Sequence, residues 1–97
     1  MKRRKRSPRR ILRGIRRHAE YAALERTGIS LSPIEEKVRT GDYLSHKRVS
    51  GTRTVCSAVV EEQVIYFLYS RKMKTVVTVL RKEHLPTYGV HPREELA

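Results

Sequence analysis

The sequence predicts an α+β fold in which two N-terminal helices pack on one face of a four-stranded antiparallel sheet. Two observations lead to this prediction. Apolar residues recur at helical spacing up to Gly41, and from there to Leu80 the chain consists of short β-branched stretches separated by turns. Because the chain has only 97 residues, the helices and strands must share one small domain.

Charge divides the chain into an arm and a domain. Residues 1–17 hold ten of the 22 Lys and Arg residues and none of the ten acidic residues, so most of the net charge of +12 lies at the N-terminus. The like charges at positions 2–6 repel one another, so residues 1–7 are expected to be disordered in isolation. We predict a basic arm over residues 1–10, a domain over 11–82 and an irregular tail over 83–97.

The first helix is predicted to begin at Pro8, because proline lacks an N–H that the first helical turn would leave unpaired. Ile11, Ile15 and Ala19 then recur at the spacing of one helical face. Gly28 is expected to end this helix, since glycine adopts the left-handed conformation of a helix C-terminus without strain.

The second helix is predicted from a capping box. Ser32 would stand at the N-cap, Pro33 in the first turn and Glu35 at the third position, where its side chain can bond back to the N-cap. Ile34 gives this short helix an apolar face, and Gly41 follows its end.

Four strands are predicted after the helices, at residues 43–49, 52–60, 64–69 and 75–80. The polar residues 61–63 form a break suited to a hairpin between the second and third strands. The third strand is apolar on both sides, so we expect it to be central in the sheet and covered by the helices.

The sequence argues against several kinds of functional site. Cys56 is the only cysteine, so the chain can form neither an internal disulfide nor a thiolate zinc site, and a reducing compartment is expected. The four histidines lack the spacing of a metal site, and the isolated glycines form no phosphate-binding loop. No serine-hydrolase motif is present. We therefore expect no metal and no cofactor.

Membrane insertion and secretion are also not expected. The longest apolar run, residues 64–69, is far too short to cross a bilayer, and no apolar segment follows the basic N-terminus as it does in a secretory signal. We expect a cytoplasmic protein with no membrane partner. An Arg-rich targeting sequence at the N-terminus stays open as an alternative.

The basic residues favour a phosphate-rich polymer as partner. Cations that neutralise phosphates release counterions, which gives strong and salt-sensitive binding without sequence preference. A tail that serves solubility or acts as an address signal is the alternative. The candidate RNA-binding residues are Lys2, Arg3, Arg4, Lys5, Arg6, Arg9, Arg10, Arg13, Arg16 and Arg17 in the N-terminal region, and Lys47, Arg48, Arg71, Lys72 and Lys74 in the domain.

Tyrosines among the domain's cations are candidate base-stacking residues. Strand alternation places Tyr66 on one face of the third strand and Tyr69 on the other, so one of the two could lie on the exposed face of the sheet and stack a base. The alternative for either residue is packing within the sheet, with the hydroxyl at the rim.

RNA can be cleaved by protein side chains alone. The reaction needs a base to activate the 2′-hydroxyl, an acid for the leaving 5′-oxygen and a cation for the developing charge on the phosphate. Histidine, lysine, arginine, tyrosine and threonine can fill these roles, and the domain contains all of them.

Short motifs strengthen this interpretation. They are His18-Ala19, Arg26-Thr27-Gly28-Ile29-Ser30, the capped helix with Ile34 and Val38, and Val76-Val77-Thr78-Val79-Leu80 after a strand that ends in Tyr69. With them, residues 16–82 resemble the small RelE-like domains of the barnase–EndoU–colicin superfamily, in particular short bacterial and phage members. The resemblance implies helices on one face of a four-stranded antiparallel sheet and a concave RNA-binding surface on the other.

The same resemblance implies a set of catalytic candidates. His18 matches the histidine of the first helix, a candidate acid or base. Arg26 matches the arginine that ends this helix, and Thr78 matches a polar residue of the last strand that could bond a phosphate oxygen. Arg53 is a candidate phosphate clamp by its position on the second strand. Ala22 departs from the pattern, because these relatives often carry an arginine there, and Thr27 is an additional residue.

Each candidate also has a purely structural interpretation. His18 could be a solvated residue of a basic helix, Arg26 could interact with the helix dipole, and Thr78 could serve strand packing. The leading hypothesis is a metal-independent endoribonuclease of the toxin type that acts on translated or ribosome-bound RNA and is paired with an acidic antitoxin. The alternatives are a non-catalytic RNA-binding component of a ribosome or other nucleoprotein particle, and an accessory protein whose arm binds an acidic protein.

Overall fold

The computed structural model describes residues 8–91. In chain order the elements are α1 (Pro8–Thr27), α2 (Leu31–Arg39), β1 (Leu44–Arg48), β2 (Arg53–Val60), β3 (Gln63–Ser70), β4 (Thr75–Leu80) and a 3-10 helix (Lys82–Tyr88). The cations at positions 2–6 lie outside the described residues. Positions 8–10, which were assigned to the arm, belong to α1.

The four strands form one sheet in the order β1-β2-β3-β4, and every neighbouring pair is antiparallel. The prediction of an α+β fold with a four-stranded antiparallel sheet is therefore confirmed, and β3 is an inner strand as expected. The turn between β2 and β3 consists of Glu61 and Glu62, both with positive φ. Two consecutive residues with positive φ are typical of the tight hairpin turn whose twist matches that of the strands.

The two helices pack on one face of the sheet, which we call the helix face. Ala19 and Ala23 of α1 are buried in one cluster with Ile34 of α2 and with Ile65 and Phe67 of β3. Small alanine side chains let α1 approach the sheet closely, and α1 lies mainly against β4. This packing places α1 beside the edge strand β4.

The predicted capping box of α2 is wrong. The N-cap is Ser30, its side chain makes no capping hydrogen bond, and α2 begins at Leu31. The backbone N–H of Leu31 instead donates to the carboxylate of Glu20 in α1, at 3.2 Å. Glu35 is bound by Arg16 and does not bond back to the start of its own helix. A contact between helices has thus replaced a local one.

The opposite face of the sheet, the second face, is covered by residues 82–91, which we call the C-terminal segment. Leu85 and Val90 are buried against Leu68, Leu80 and Tyr66 of the sheet. The prediction of an irregular tail from residue 83 is therefore wrong for residues 83–88, which belong to the 3-10 helix Lys82–Tyr88. Residues 92–97 lie outside the described part of the chain.

Candidate functional site

Three of the predicted catalytic residues meet at the edge of the sheet formed by β4. His18 and Arg26 lie two turns apart on α1, and both line one cavity with Thr78 of β4. The His18 Nε2 atom lies 3.3 Å from the Thr78 Oγ1 atom, within hydrogen-bond distance. Arg26 Nη1 donates to the backbone carbonyl of Val79 at 2.7 Å, which fixes α1 to the edge strand.

A bulge in β4 sets the direction of Thr78. Leu68 pairs with Thr78 whereas the next residue, Tyr69, pairs with Val76, so Val77 is left without a partner. A bulge adds one residue to a strand and changes the direction in which the following side chains point. Thr78 shares the second face with its partner Leu68, and it is partly exposed beside His18.

The C-terminal segment completes this cavity with His84, Thr87 and Tyr88. The cavity, which we call the histidine cavity, has a volume of about 380 Å³ and has no acidic side chain among its described lining residues. The sequence-based prediction missed His84, because it stands alone in a segment without apolar periodicity. The one signal that pointed to it was its residue type.

A backbone contact determines which nitrogen of the neutral His84 ring carries the proton. The N–H of Arg81 donates to His84 Nδ1 at 3.4 Å. A ring nitrogen that accepts a hydrogen bond carries no proton, so the neutral ring keeps its proton on Nε2. His84 Nε2 is then the ring atom able to donate a hydrogen bond to a ligand.

The structure does not bring Arg53 together with His18 and Thr78. Arg53 lines a separate cavity of about 750 Å³ with Lys47 and Arg48, which we call the cation cavity. Thr87 and Tyr88 line both cavities, so the C-terminal segment forms the wall between them. Arg53 therefore lies in a neighbouring cavity and not in the histidine cavity.

The other candidate RNA-binding residues lie at several places on the surface. Arg9, Arg10, Arg13 and Arg17 are exposed on α1, and Arg71, Lys72 and Lys74 are exposed near the β3–β4 turn. The Arg71 guanidinium donates to the carbonyl of Gly51 at 3.3 Å. The Arg16 guanidinium binds both carboxylate oxygens of Glu35, at 2.7 and 2.8 Å.

Neither of the two candidate tyrosines offers an open ring for stacking. Tyr66 lies on the second face but is buried, with its ring centroid 5.7 Å from that of His46. Tyr69 is partly buried on the helix face, in contact with the core around Phe67. Both rings pack within the domain, in agreement with the packing alternative.

The histidine cavity has the residue types for proton transfer to and from a phosphate ester. Histidine is the side chain that exchanges protons near neutral pH, and an arginine can neutralise the charge of a phosphate. Within residues 8–91, no group of three histidine, cysteine or acidic side chains is placed to hold a metal ion. No helix in that part of the chain is long and apolar enough to cross a membrane.

Comparisons of the chain with known protein families, with curated proteins and with solved structures give no significant match.

Proposed function

We propose that this protein binds RNA and cleaves it as a metal-independent endoribonuclease of the toxin type. The observation that carries the proposal is that His18 and His84 come from two different elements and line the same cavity, together with Arg26. Two imidazoles and a guanidinium can supply the base, the acid and the cation that cleavage at the 2′-hydroxyl needs when no metal takes part.

In the proposed reaction one imidazole removes the proton of the 2′-hydroxyl, and the oxygen attacks the adjacent phosphorus. The bond from phosphorus to the 5′-oxygen breaks, and the other ring, in its protonated form, gives that oxygen a proton. The products are a 2′,3′-cyclic phosphate and a 5′-hydroxyl. Arg26 uses one N–H for the carbonyl of Val79 and has further N–H groups for the phosphate oxygens. Each of the two imidazoles can serve as the base when neutral and as the acid when protonated, so His18 and His84 together supply both roles.

The proposed substrate is translated or ribosome-bound RNA, and the proposed location is the cytoplasm. The charge of +12, concentrated in residues 1–17, supports a polyanionic partner, and the resemblance to RelE-like domains supports ribosome-associated RNA in particular. An acidic antitoxin is the proposed protein partner, because a toxin of this type needs an inhibitor in its own cell.

The experiment is incubation of the purified protein with RNA in the presence of EDTA. We expect cleavage that leaves cyclic phosphate ends, and a loss of about 100-fold or more in H18A and in H84A, since a single acid or base contributes that much. Y21A is the matched control, because Tyr21 is exposed on the same helix as His18. Cleavage that EDTA abolishes, or that survives in both histidine variants, would contradict the proposal.

A second candidate function is that of a non-catalytic component of a ribosome or other nucleoprotein particle. The density of positive charge in residues 1–17 favours it, because such charge explains affinity for RNA and requires no chemistry. This function predicts co-sedimentation with ribosomes that is lost when the five cations at positions 2–6 are replaced by glutamine. It also predicts that RNA stays intact in the cleavage assay. These substitutions leave α1 unchanged, since it begins at Pro8.

A further inference from the structure

A third cavity on the second face lies at the β1 end of the sheet. It has a volume of about 770 Å³, and β1, β2 and β3 form its walls together with the end of the C-terminal segment. We call it the apolar cavity, because its lining includes Leu44, Val59 and Val64. These three residues are 66%, 57% and 51% exposed, respectively. Three apolar side chains that remain exposed around one concave site are unusual in a small protein and indicate a ligand or partner.

The polar lining of this cavity includes a pair of side chains in contact, and its one carboxylate, that of Asp42, is paired with Lys37. His46 Nε2 lies 2.6 Å from the Oγ atom of Ser57, and Ser57 is only 5% exposed. His46 owes its position to a bulge, because Ser45 and Lys47 pair with β2 and the residue between them does not. The pair therefore offers a ligand the edge of a ring and a hydroxyl at the base of an apolar site.

Positive charge continues from this cavity along β1. Lys47 and Arg48 follow His46 in the chain and line the cation cavity together with Arg53. Among the described residues, none of these three cations forms a salt bridge. A ligand with an apolar planar part and flanking negative charges would match both cavities at once.

The C-terminal segment connects all three cavities. Val90 and His91 line the apolar cavity, residues 86–89 line the cation cavity, and His84 lies in the histidine cavity. The three sites therefore follow one another along a single stretch of chain across the second face. A flexible single strand of nucleic acid can follow such a succession of sites. A rigid duplex cannot, because its paired bases cannot turn into the apolar cavity.

We propose that the apolar cavity binds an unpaired base of single-stranded RNA while Lys47, Arg48 and Arg53 hold the adjacent phosphates. The inference rests on the proposed function, in which this protein binds RNA, and it specifies that the RNA is single-stranded. Proteins that recognise single-stranded RNA pack splayed bases against side chains and bond the edges of those bases. Here the exposed apolar side chains provide the packing surface, and His46 and Ser57 provide groups that can bond a base edge. An apolar segment of another protein would gain nothing from three cations without acidic partners.

The test measures binding and not cleavage, so that its result does not depend on the catalytic proposal. The probe is a short labelled RNA with 2′-O-methyl groups, which cannot be cleaved at the 2′-oxygen. It is prepared in two forms, a single strand and a hairpin duplex, and each form is titrated with the full-length protein. We expect L44S and H46A to weaken binding of the single strand about tenfold, the scale of one lost base contact, and to leave duplex binding unchanged. L24S is the control, because Leu24 is half exposed on α1, away from the cavity.

The cations give a second, independent readout. We expect K47Q to weaken binding of both RNA forms and to lower the slope of log K against log salt by about one, as the loss of one phosphate contact does. Because Leu44 is mostly exposed, L44S keeps the fold and its result can be interpreted even if H46A is unstable.

Three outcomes would overturn the inference. They are equal losses on single strand and duplex, no loss on either, and self-association of the protein that L44S abolishes without a change in RNA affinity. The last outcome would identify the apolar cavity as a contact between copies of this chain. Binding with the expected preference but without scission of ordinary RNA would support this inference and contradict the catalytic proposal.

Discussion

Replacing Leu85 with alanine tests whether the C-terminal segment is a structural part of the domain. Leu85 is fully buried on the second face in contact with Leu68 and Leu80, which the 3-10 helix covers. The substitution removes three carbon atoms from a buried site, which costs about 2.4 kcal/mol in transfer free energy. The cavity left behind raises the total to about 3–4 kcal/mol.

This loss is a large part of the stability that a domain of this size is expected to have, about 5–10 kcal/mol. It should appear in urea unfolding followed by circular dichroism as a lower midpoint at unchanged slope. In thermal unfolding it should lower the melting temperature by about 15–25 °C.

L24A is the matched control for this experiment. It makes the same chemical change at a half-exposed position of α1, where alanine is also a good helix former, and should cost less than about 1 kcal/mol. If L85A cost no more than L24A, the C-terminal segment would not be packed on the sheet. The histidine cavity would then lack the wall that carries His84.

Three further predictions concern one ion pair and two titratable side chains. The bidentate ion pair of Arg16 and Glu35 is exposed, so a double-mutant cycle with R16A and E35A should give a coupling free energy of about 0.2–1 kcal/mol. This coupling should become smaller in high salt, and a coupling that high salt leaves unchanged would contradict the interpretation. Burial raises the pKa of the Cys56 thiol, so alkylation should follow global unfolding, and rapid labelling of the native protein would refute this. Partial desolvation beside Ser57 and Tyr66 lowers the pKa of His46, so the unfolded chain takes up a proton first as the pH falls below 6.5, and stability falls. H46Q should remove that part of the fall, which parallel urea titrations of the two proteins would detect.

The helices and strands could be predicted because their signals are local. A run of β-branched residues defined the strand at Thr75–Leu80, and the end of α1 at Thr27 followed from Gly28. The start of α2 could not be predicted in the same way. Ser32 and Glu35 match a capping box, but the carboxylate that the helix uses belongs to Glu20, in another helix. Local patterns do not contain such a contact.

The candidate site could be predicted in part for the same reason. His18 and Thr78 were identified from short motifs, and the packing of α1 against β4 brings them together. His84 was missed because its segment is ordered by Leu85 and Val90, whose spacing matches neither a helix nor a strand and whose partners are distant in sequence. Arg53 lies in a different cavity, since strand periodicity gives the face of a residue but not its neighbours across the sheet.

The two edges of the sheet have different protection against aggregation. At β4, α1 lies along the strand and Arg26 occupies the carbonyl of Val79, so another chain cannot pair there without displacing the helix. The side chains of β1 are exposed throughout, and this edge relies on the bulge at His46 and on the charges of Lys47 and Arg48. Bulges and charges of this kind prevent the edge strands of two molecules from joining. The cations proposed to hold phosphate thus also keep copies of the protein apart, so a polyanion that neutralises them removes part of that protection.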